Sequence, residues 1–150
     1  MQVAILHRYG SDAGRGAVTL VSEDCTTRLI TQWKPPTYGV CRAMKLGPKE
    51  VVTLSRMVKI GDSKTSKLLR LCYPVMASKG YLAIVSYSDS SMGHTGNVYK
   101  LSGFIRDGEE RSCYYANDAG MRVSPYVMGK RNQSAQLAGE RVLTRWIKRL

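Results

Sequence analysis

Acidic residues are scarce in this chain of 150 residues: eleven Asp and Glu stand against 23 Lys and Arg, giving a net charge of +12 and a pI near 9.8. A surface this basic attracts polyanions and loses that attraction as salt rises, so nucleic acid is the leading partner class, against the bland alternative of a merely soluble basic protein. Also missing is any apolar run near the roughly 20 residues that cross a bilayer, which excludes a membrane helix. The start, Met1-Gln2-Val3-Ala4-Ile5-Leu6-His7-Arg8-Tyr9, has no basic leader, long apolar segment or small-residue cleavage site, and reads as a strand rather than a secretory signal. The four cysteines, Cys25, Cys41, Cys72 and Cys113, form no C-x-x-C, and neither histidine sits at zinc-finger spacing from them. A disulfide framework and a structural zinc are therefore not indicated, a reduced cytoplasm fits, and Cys72 and Cys113 read as core residues. Internal repeats and low-complexity segments are absent as well, and the length suits one domain.

What is present is a mixed α/β pattern. The N-terminal third is β-rich, with extended segments expected over 2–9, 17–22, 28–33 and 38–46, separated by Gly, Pro and Asp signals. A β-branched run over 51–60 predicts a strand near the sheet centre. It leads through Gly61-Asp62-Ser63-Lys64-Thr65-Ser66 into a helical pattern over 65–79, with Leu68, Leu69, Cys72, Val75 and Met76 on one face and Pro74 as a kink or stop. Gly61, Ser63, Lys64, Thr65 and Ser66 are the candidate cofactor-holding residues, because backbone N–H groups in such a turn accept an anion such as a pyrophosphate. The strand 81–88 is continuously apolar, as expected of an interior strand, and completes a right-handed β-α-β crossover. A short helix is predicted over 95–102, an Asp107-Gly108 turn, a strand over 113–116, and a last helix over 134–148 whose apolar stripe lies among bases.

The densest chemistry is Tyr87-Ser88-Asp89-Ser90-Ser91-Met92-Gly93-His94-Thr95-Gly96-Asn97-Val98-Tyr99, directly behind the interior strand. Polar groups at the end of such a strand sit where open α/β sheets place ligands. Asp89 can accept a proton, orient an amino group, ligate a metal, or cap the following helix. His94 suits proton transfer or ligation, so Asp89 and His94 are the candidate metal ligands. Tyr99 can donate to a developing oxyanion, stack on a base, or pack in the core. Arg56 interrupts an apolar strand and needs a partner: a carboxylate such as Asp89, or a phosphate or substrate carboxyl. Ser88, Gly93, Thr95 and Gly96 are substrate-contact candidates, the glycines by permitting close backbone approach. Toward the C-terminus Tyr115, Arg122, Lys130 and Arg131, with Tyr114 and Tyr126 nearby, are candidates for contacting DNA and stacking on an extruded base, since from Met121 onward Glu140 is the single acid.

The order strand, helix, strand, helix ending in Tyr99-Lys100-Leu101-Ser102-Gly103-Phe104 resembles the core of the GNAT acyltransferase fold, with its Tyr-x-x-x-Gly-Phe ending. Leu54-Ser55-Arg56 followed by Tyr87-Ser88-Asp89, Gly93-His94-Thr95-Gly96 and Tyr99 resembles the Mom DNA-modification proteins of Mu-like phages, over residues 51–104. The resemblance implies one GNAT-like domain over 1–150: a β-rich N-terminal half over 1–60, a strand–helix core over 51–104 and a basic C-terminal segment over 121–150. It implies a transferase that converts adenine in double-stranded DNA to its N6-carbamoylmethyl form, shielding phage DNA from host restriction in the bacterial cytoplasm. Asp89, Tyr99, His94 and Arg56 are then the catalytic residues. The donor stays open, an acyl-CoA or a related compound, because the 61–66 turn departs from the Arg/Gln-x-x-Gly-x-Gly/Ala loop of coenzyme A enzymes; iron is a further requirement the resemblance brings in. A homodimer is one assembly compatible with the chain. The alternatives are a CoA-dependent N-acetyltransferase of a small amine or protein, and a non-enzymatic DNA-binding protein.

Overall fold

The computed structural model describes residues 2–6, 18–123 and 135–150. In chain order the elements are β1 (Gln2–Leu6), β2 (Val18–Glu23), β3 (Arg28–Lys34), α1 (Tyr38–Met44), β4 (Val51–Ile60), α2 (Thr65–Arg70), α3 (Cys72–Ser78), β5 (Ala83–Asp89), a 3-10 turn (Ser90–Met92), α4 (Asn97–Leu101), β6 (Ile105–Ala116), β7 (Arg122–Val123) and β8 (Gln136–Arg149). Among the described residues the eight strands make one sheet in the order β1-β2-β3-β4-β5-β8-β6-β7. The mixed α/β class expected from the pattern is therefore observed. No helix among the described residues is long and apolar enough to cross a membrane.

β4 and β5 pair in parallel, with α2 and α3 as the connection between them. Successive side chains of β5 point to opposite faces, so its apolar run feeds two cores. Ile84 joins Leu20, Trp33, Leu54, Leu68, Leu69, Cys72, Met76, Tyr99, Phe104 and Trp146 on one face, while Ala83 and Val85 join Val40, Cys41, Met44 and Val51 on the other. A strand covered on both sides has no polar face to alternate with. The expected 65–79 helix is divided at Leu71 into α2 and α3. Pro74 carries no N–H for the Arg70 carbonyl, so the ladder breaks one turn before it.

Four expectations change. Residues 38–46 are not extended: Tyr38–Met44 is helical, burying Val40, Cys41 and Met44 on one face and ending at Lys45 with φ of +53°. The last helix is a strand instead, β8, held between β5 and β6. Its apolar residues face both cores, Trp146 one and Ile147 the other, so an interior strand imitates a helical stripe. Asp107-Gly108 is not a hairpin turn but a register shift inside β6, where Asp107 is extra relative to β8 and pairs with Arg145 at 2.6 Å. Cys113 lies on the outward side of β6 and is exposed, whereas Cys72 is buried; all four cysteines are free thiols.

Candidate functional site

Only Val51, Val52 and Thr53 of β4 pair with β5, opposite Ala83, Ile84 and Val85. Beyond that the two parallel strands part. The point of parting coincides with an irregularity on the other side of β4: Gln32 faces Arg56 and Trp33 faces Leu54, leaving Ser55 as an extra residue. Such a bulge bends its strand and adds twist. Two hydroxyls secure the opening, as Ser55 Oγ donates to the Gln32 carbonyl at 3.0 Å and Ser86 Oγ to the Leu54 carbonyl at 2.9 Å. Between the parted strands lies a cleft of about 670 Å³, walled by Ser55 to Val58 from β4, by Tyr87 and Asp89 from β5, and by Gly93 to Tyr99 from the turn and α4.

The cleft gathers Arg56, Asp89, Gly93, His94, Thr95, Gly96 and Tyr99 from the sequence-derived candidates. The extra residue also explains Arg56. Were Ser55 paired in ordinary alternation, Arg56 would continue the core-facing series of Val52 and Leu54; because Ser55 is extra, Met57 packs on that core and Arg56 is exposed. Of the partners open to Arg56, Asp89 is therefore not the one taken: its ion pairs among the described residues are with Arg122 and Arg141, and a solvated guanidinium needs no buried counter-charge.

Asp89 has other partners. Its Oδ1 accepts from the Ser91 backbone N–H at 3.0 Å and from the Ser91 hydroxyl, and its Oδ2 accepts from Arg122 at 3.0 Å and Arg141 at 3.4 Å. Partial burial pushes its pKa up, but the hydrogen bonds from Ser91 and Arg122 outweigh this and hold it below the ordinary carboxylate value. A carboxylate so occupied is an anchor for guanidinium groups and a weak base.

Tyr99 is buried at the cleft floor, edge-on to Phe104 and stacked on Trp146 at 6.0 Å between centroids. Its hydroxyl donates to the Tyr87 carbonyl at 3.3 Å. Burial raises its pKa, so the phenol keeps its proton and serves as a hydrogen-bond donor. The Gly96 conformation (φ of +76°) brings its backbone against the Trp146 ring, where a Cβ would meet Cζ2 at 2.2 Å. Trp146 in turn donates its indole N–H to Ser88 Oγ at 2.9 Å. Ser88 is thus buried beneath the cleft, spoken for by Trp146, and is not a cleft-lining contact. His94 is exposed at the cleft edge, its backbone N–H bonded to the Asp89 carbonyl. Thr95 Oγ1 accepts from the Asn97 N–H at 3.4 Å, a long cap.

A second cleft of about 600 Å³ lies on the other side of α4, lined by Lys64, Thr65, Ser66, Lys67, Arg70, Asn97, Val98 and Leu101. It contains three of the five cofactor candidates. The other two, Gly61 and Ser63, are tied to the β2–β3 turn: the Ser63 N–H donates to Thr27 Oγ1 at 2.7 Å, and Gly61 packs on the Thr26 carbonyl. Asn97 and Val98 are common to both clefts. Three cations and two hydroxyl residues suit a phosphate-bearing donor such as an acyl-CoA. Iron fits poorly: Asp89 is engaged by two guanidinium groups that repel a cation. Among the described residues no group of three or more His, Cys, Asp or Glu converges.

Of the nucleic-acid candidates, Arg122 lies over the Tyr114 ring at 4.1 Å while bound to Asp89. Tyr115 is half-buried in β6 opposite Val123 and lines neither cleft. Lys130, Arg131 and Tyr126 lie outside the described residues. Sequence reasoning missed Arg141 and Trp146 as site-builders, because a helical 134–148 hides their register with β5.

The model of the Mom protein family matches residues 35–147, well beyond the 51–104 stretch that carries the motifs. No curated protein matches the chain in sequence. Among solved structures it is similar to a ribosomal-protein-alanine N-acetyltransferase from Brucella melitensis, with 12% identity, a TM-score of 0.46, and coverage of 90% of this chain and 70% of that one. An aminoglycoside 6'-acetyltransferase of type Ii gives 14% identity, a TM-score of 0.47, and coverage of 90% and 70%. A variant spermidine N-acetyltransferase from Vibrio cholerae gives 11% identity, a TM-score of 0.48, and coverage of 93% and 67%.

Proposed function

The chain belongs to the Mom protein family, and from that premise we propose that it is a transferase acting on adenine in double-stranded DNA, leaving an N6-carbamoylmethyl group that hides restriction sites. The observation that carries this reading is the cleft of about 670 Å³ between parted β4 and β5, lined by Arg56 from β4 and by His94 and Tyr99 from the opposite side. That volume accommodates a flat heterocycle together with the end of a donor. Chemistry at the amino group of a paired adenine is obstructed, so the base enters unstacked.

In the reaction the adenine N6 forms a bond to the CH2 carbon of the donor while the bond from that carbon to the rest of the donor breaks, its electron pair leaving with the departing group, and N6 gives up a proton. His94, at the open edge, is placed to receive that proton. The Tyr99 phenol, kept protonated by its surroundings, turns its O–H from the Tyr87 carbonyl to the amide oxygen of the incoming carbamoylmethyl group and orients it. Arg56 adds positive charge at the rim. Asp89 acts at one remove, by fixing Arg122 and Arg141. The donor extends past Asn97 and Val98 into the second cleft, where Lys64, Lys67 and Arg70 suit its phosphates.

That same basic cleft favours a second reading, an N-acetyltransferase using acetyl-CoA on a small amine. Tight acetyl-CoA binding without DNA affinity would select it. The deciding experiment is nucleoside mass spectrometry of DNA from cells expressing the protein. A mass-shifted adenosine that disappears with Tyr99→Phe is expected; unmodified adenine beside well-folded protein overturns the proposal.

A further inference from the structure

The Asp89 cluster is asymmetric in charge. Two guanidinium groups, Arg122 and Arg141, converge on one carboxylate oxygen at 3.0 and 3.4 Å. Both arginine side chains retain about a third of their exposure, 32%, while that of Asp89 retains 15%. One negative charge answers two positive ones, and the uncompensated charge faces outward. Two hydroxyl oxygens fix the forks: Ser91 Oγ accepts from Arg122 Nη2, and Ser112 Oγ accepts from Arg141 Nε at 3.1 Å. Arg141 also lines a hollow of about 280 Å³ with Ser90, Arg111, Ser112, Cys113 and Glu140. The Tyr114 ring beneath Arg122 holds that guanidinium in place. Two planar forks held by an aromatic ring, two hydroxyls and a carboxylate are a preformed seat for a tetrahedral oxyanion.

We propose that Arg122 and Arg141 bind a backbone phosphodiester of the DNA next to the adenine being modified, and that Asp89 is the internal anion occupying this seat until the DNA arrives. This rests on the DNA-directed reading above and assigns the strand-holding portion of that site. Asp89 belongs to the wall of the base cleft and Arg141 to the hollow beside it, so the seat lies where a phosphate flanking an extruded base must pass. An internal carboxylate keeps the two arginines oriented without DNA and competes with the phosphodiester, and so lowers affinity for undistorted duplex.

The test is fluorescence anisotropy of a short duplex against salt, with the full chain and its Arg122→Gln, Arg141→Gln, Asp89→Asn and Lys49→Gln variants. Each arginine substitution is expected to weaken binding several-fold and to reduce the log–log salt slope by about one. Asp89→Asn, which keeps an acceptor for Ser91 while removing the charge, should tighten binding several-fold; Lys49→Gln, an exposed control, should do neither. Weaker or unchanged binding by a folded Asp89→Asn protein overturns the proposal. Where that variant does not fold, a duplex with neutral methylphosphonate linkages beside the adenine decides: it should abolish the difference between the parent chain and Arg122→Gln, and a persisting difference overturns the proposal. Inorganic pyrophosphate separates a donor phosphate from a strand phosphate. Loss of its binding in the arginine variants, with the salt slope intact, would assign the seat to the donor instead. DNA binding that responds as expected, with adenine left unmodified, sinks only the modification reading, whereas modification by a chain indifferent to these substitutions sinks only the phosphate seat.

Discussion

The two clefts flanking α4 share Asn97 and Val98 and otherwise have little in common. One is cut into the sheet by the parting of β4 and β5 and offers a buried phenol, an imidazole and a guanidinium. The other lies over α2 and offers lysines, Arg70 and hydroxyls. The first has groups that move or share protons; the second has fixed charge. On the function proposed above, one short helix therefore divides chemistry from retention, and a single pair of residues couples them.

The strongest way to break the comparison is to spoil the wall both clefts use. Gly96→Ala forces a Cβ into the Trp146 ring at 2.2 Å in a left-handed conformation, and should cost roughly 2–4 kcal/mol and abolish modification together with donor binding. Gly93 has nearly the same φ, +71°, but open space around it, so Gly93→Ala should cost only about 1 kcal/mol. Thermal denaturation of the two variants side by side checks this, and equal losses would refute the role given to the Trp146 contact.

Next in size is Tyr99→Phe, which keeps the ring packing and removes the hydroxyl. The modification rate should fall about 100-fold while stability drops by about 1 kcal/mol or less. Because burial raises the Tyr99 pKa, the folded state favours the neutral phenol: this contribution to stability is complete below the free-tyrosine value of 10.0 and is lost only as pH rises above it. The rate should thus show no decline attributable to this group through the neutral range, and a fall centred below pH 10 would remove Tyr99 from the role.

Smaller effects belong to the second cleft. Lys64→Gln and Lys67→Gln should each weaken donor binding about tenfold while the rate at saturating donor is kept. A lowered saturating rate with unchanged donor KM would erase the division of labour between the clefts.

The smallest effect sharpens the link between Lys67 and its neighbourhood. Asp24, 4.0 Å from Lys67, has its pKa lowered to about 2, first by the Thr26 N–H and then by Ser63. A depressed carboxylate contributes stability above its unfolded value of 3.8 and loses it as pH falls toward 2. Asp24→Asn should flatten the acid limb of an unfolding curve between pH 4 and 2 and leave the neutral midpoint nearly unmoved.

The crossover core was legible because its signals are local: β-branched residues for β4, a 3.6-residue stripe for α2 and α3, and an unbroken apolar run for β5. The cluster from Asp89 to Tyr99 was legible because polar groups follow that run abruptly. What escaped depended on partners far along the chain. Residues 136–149 carry apolar groups for two opposite cores, which erases the alternation that marks a one-sided strand and leaves a spacing that suits a helix. Read as a helix, residues 134–148 give Arg141 no reason to approach Asp89, which leaves Asp89 open as one of the alternative partners of Arg56. Ser55 gave no warning either, because an extra residue is visible only against the partner strand.

That extra residue has a consequence for how sequences of this kind can vary. Removing Ser55 would take out the bulge, leave Arg56 directly after Leu54 and still opposite Gln32 on the face away from Leu54, and invite the two parallel strands to continue zipping. A one-codon deletion could yield a protein that is better knit and chemically inert. On the function proposed above, activity depends on a miscount, and lineages that lose it would keep a sheet and forfeit its mouth.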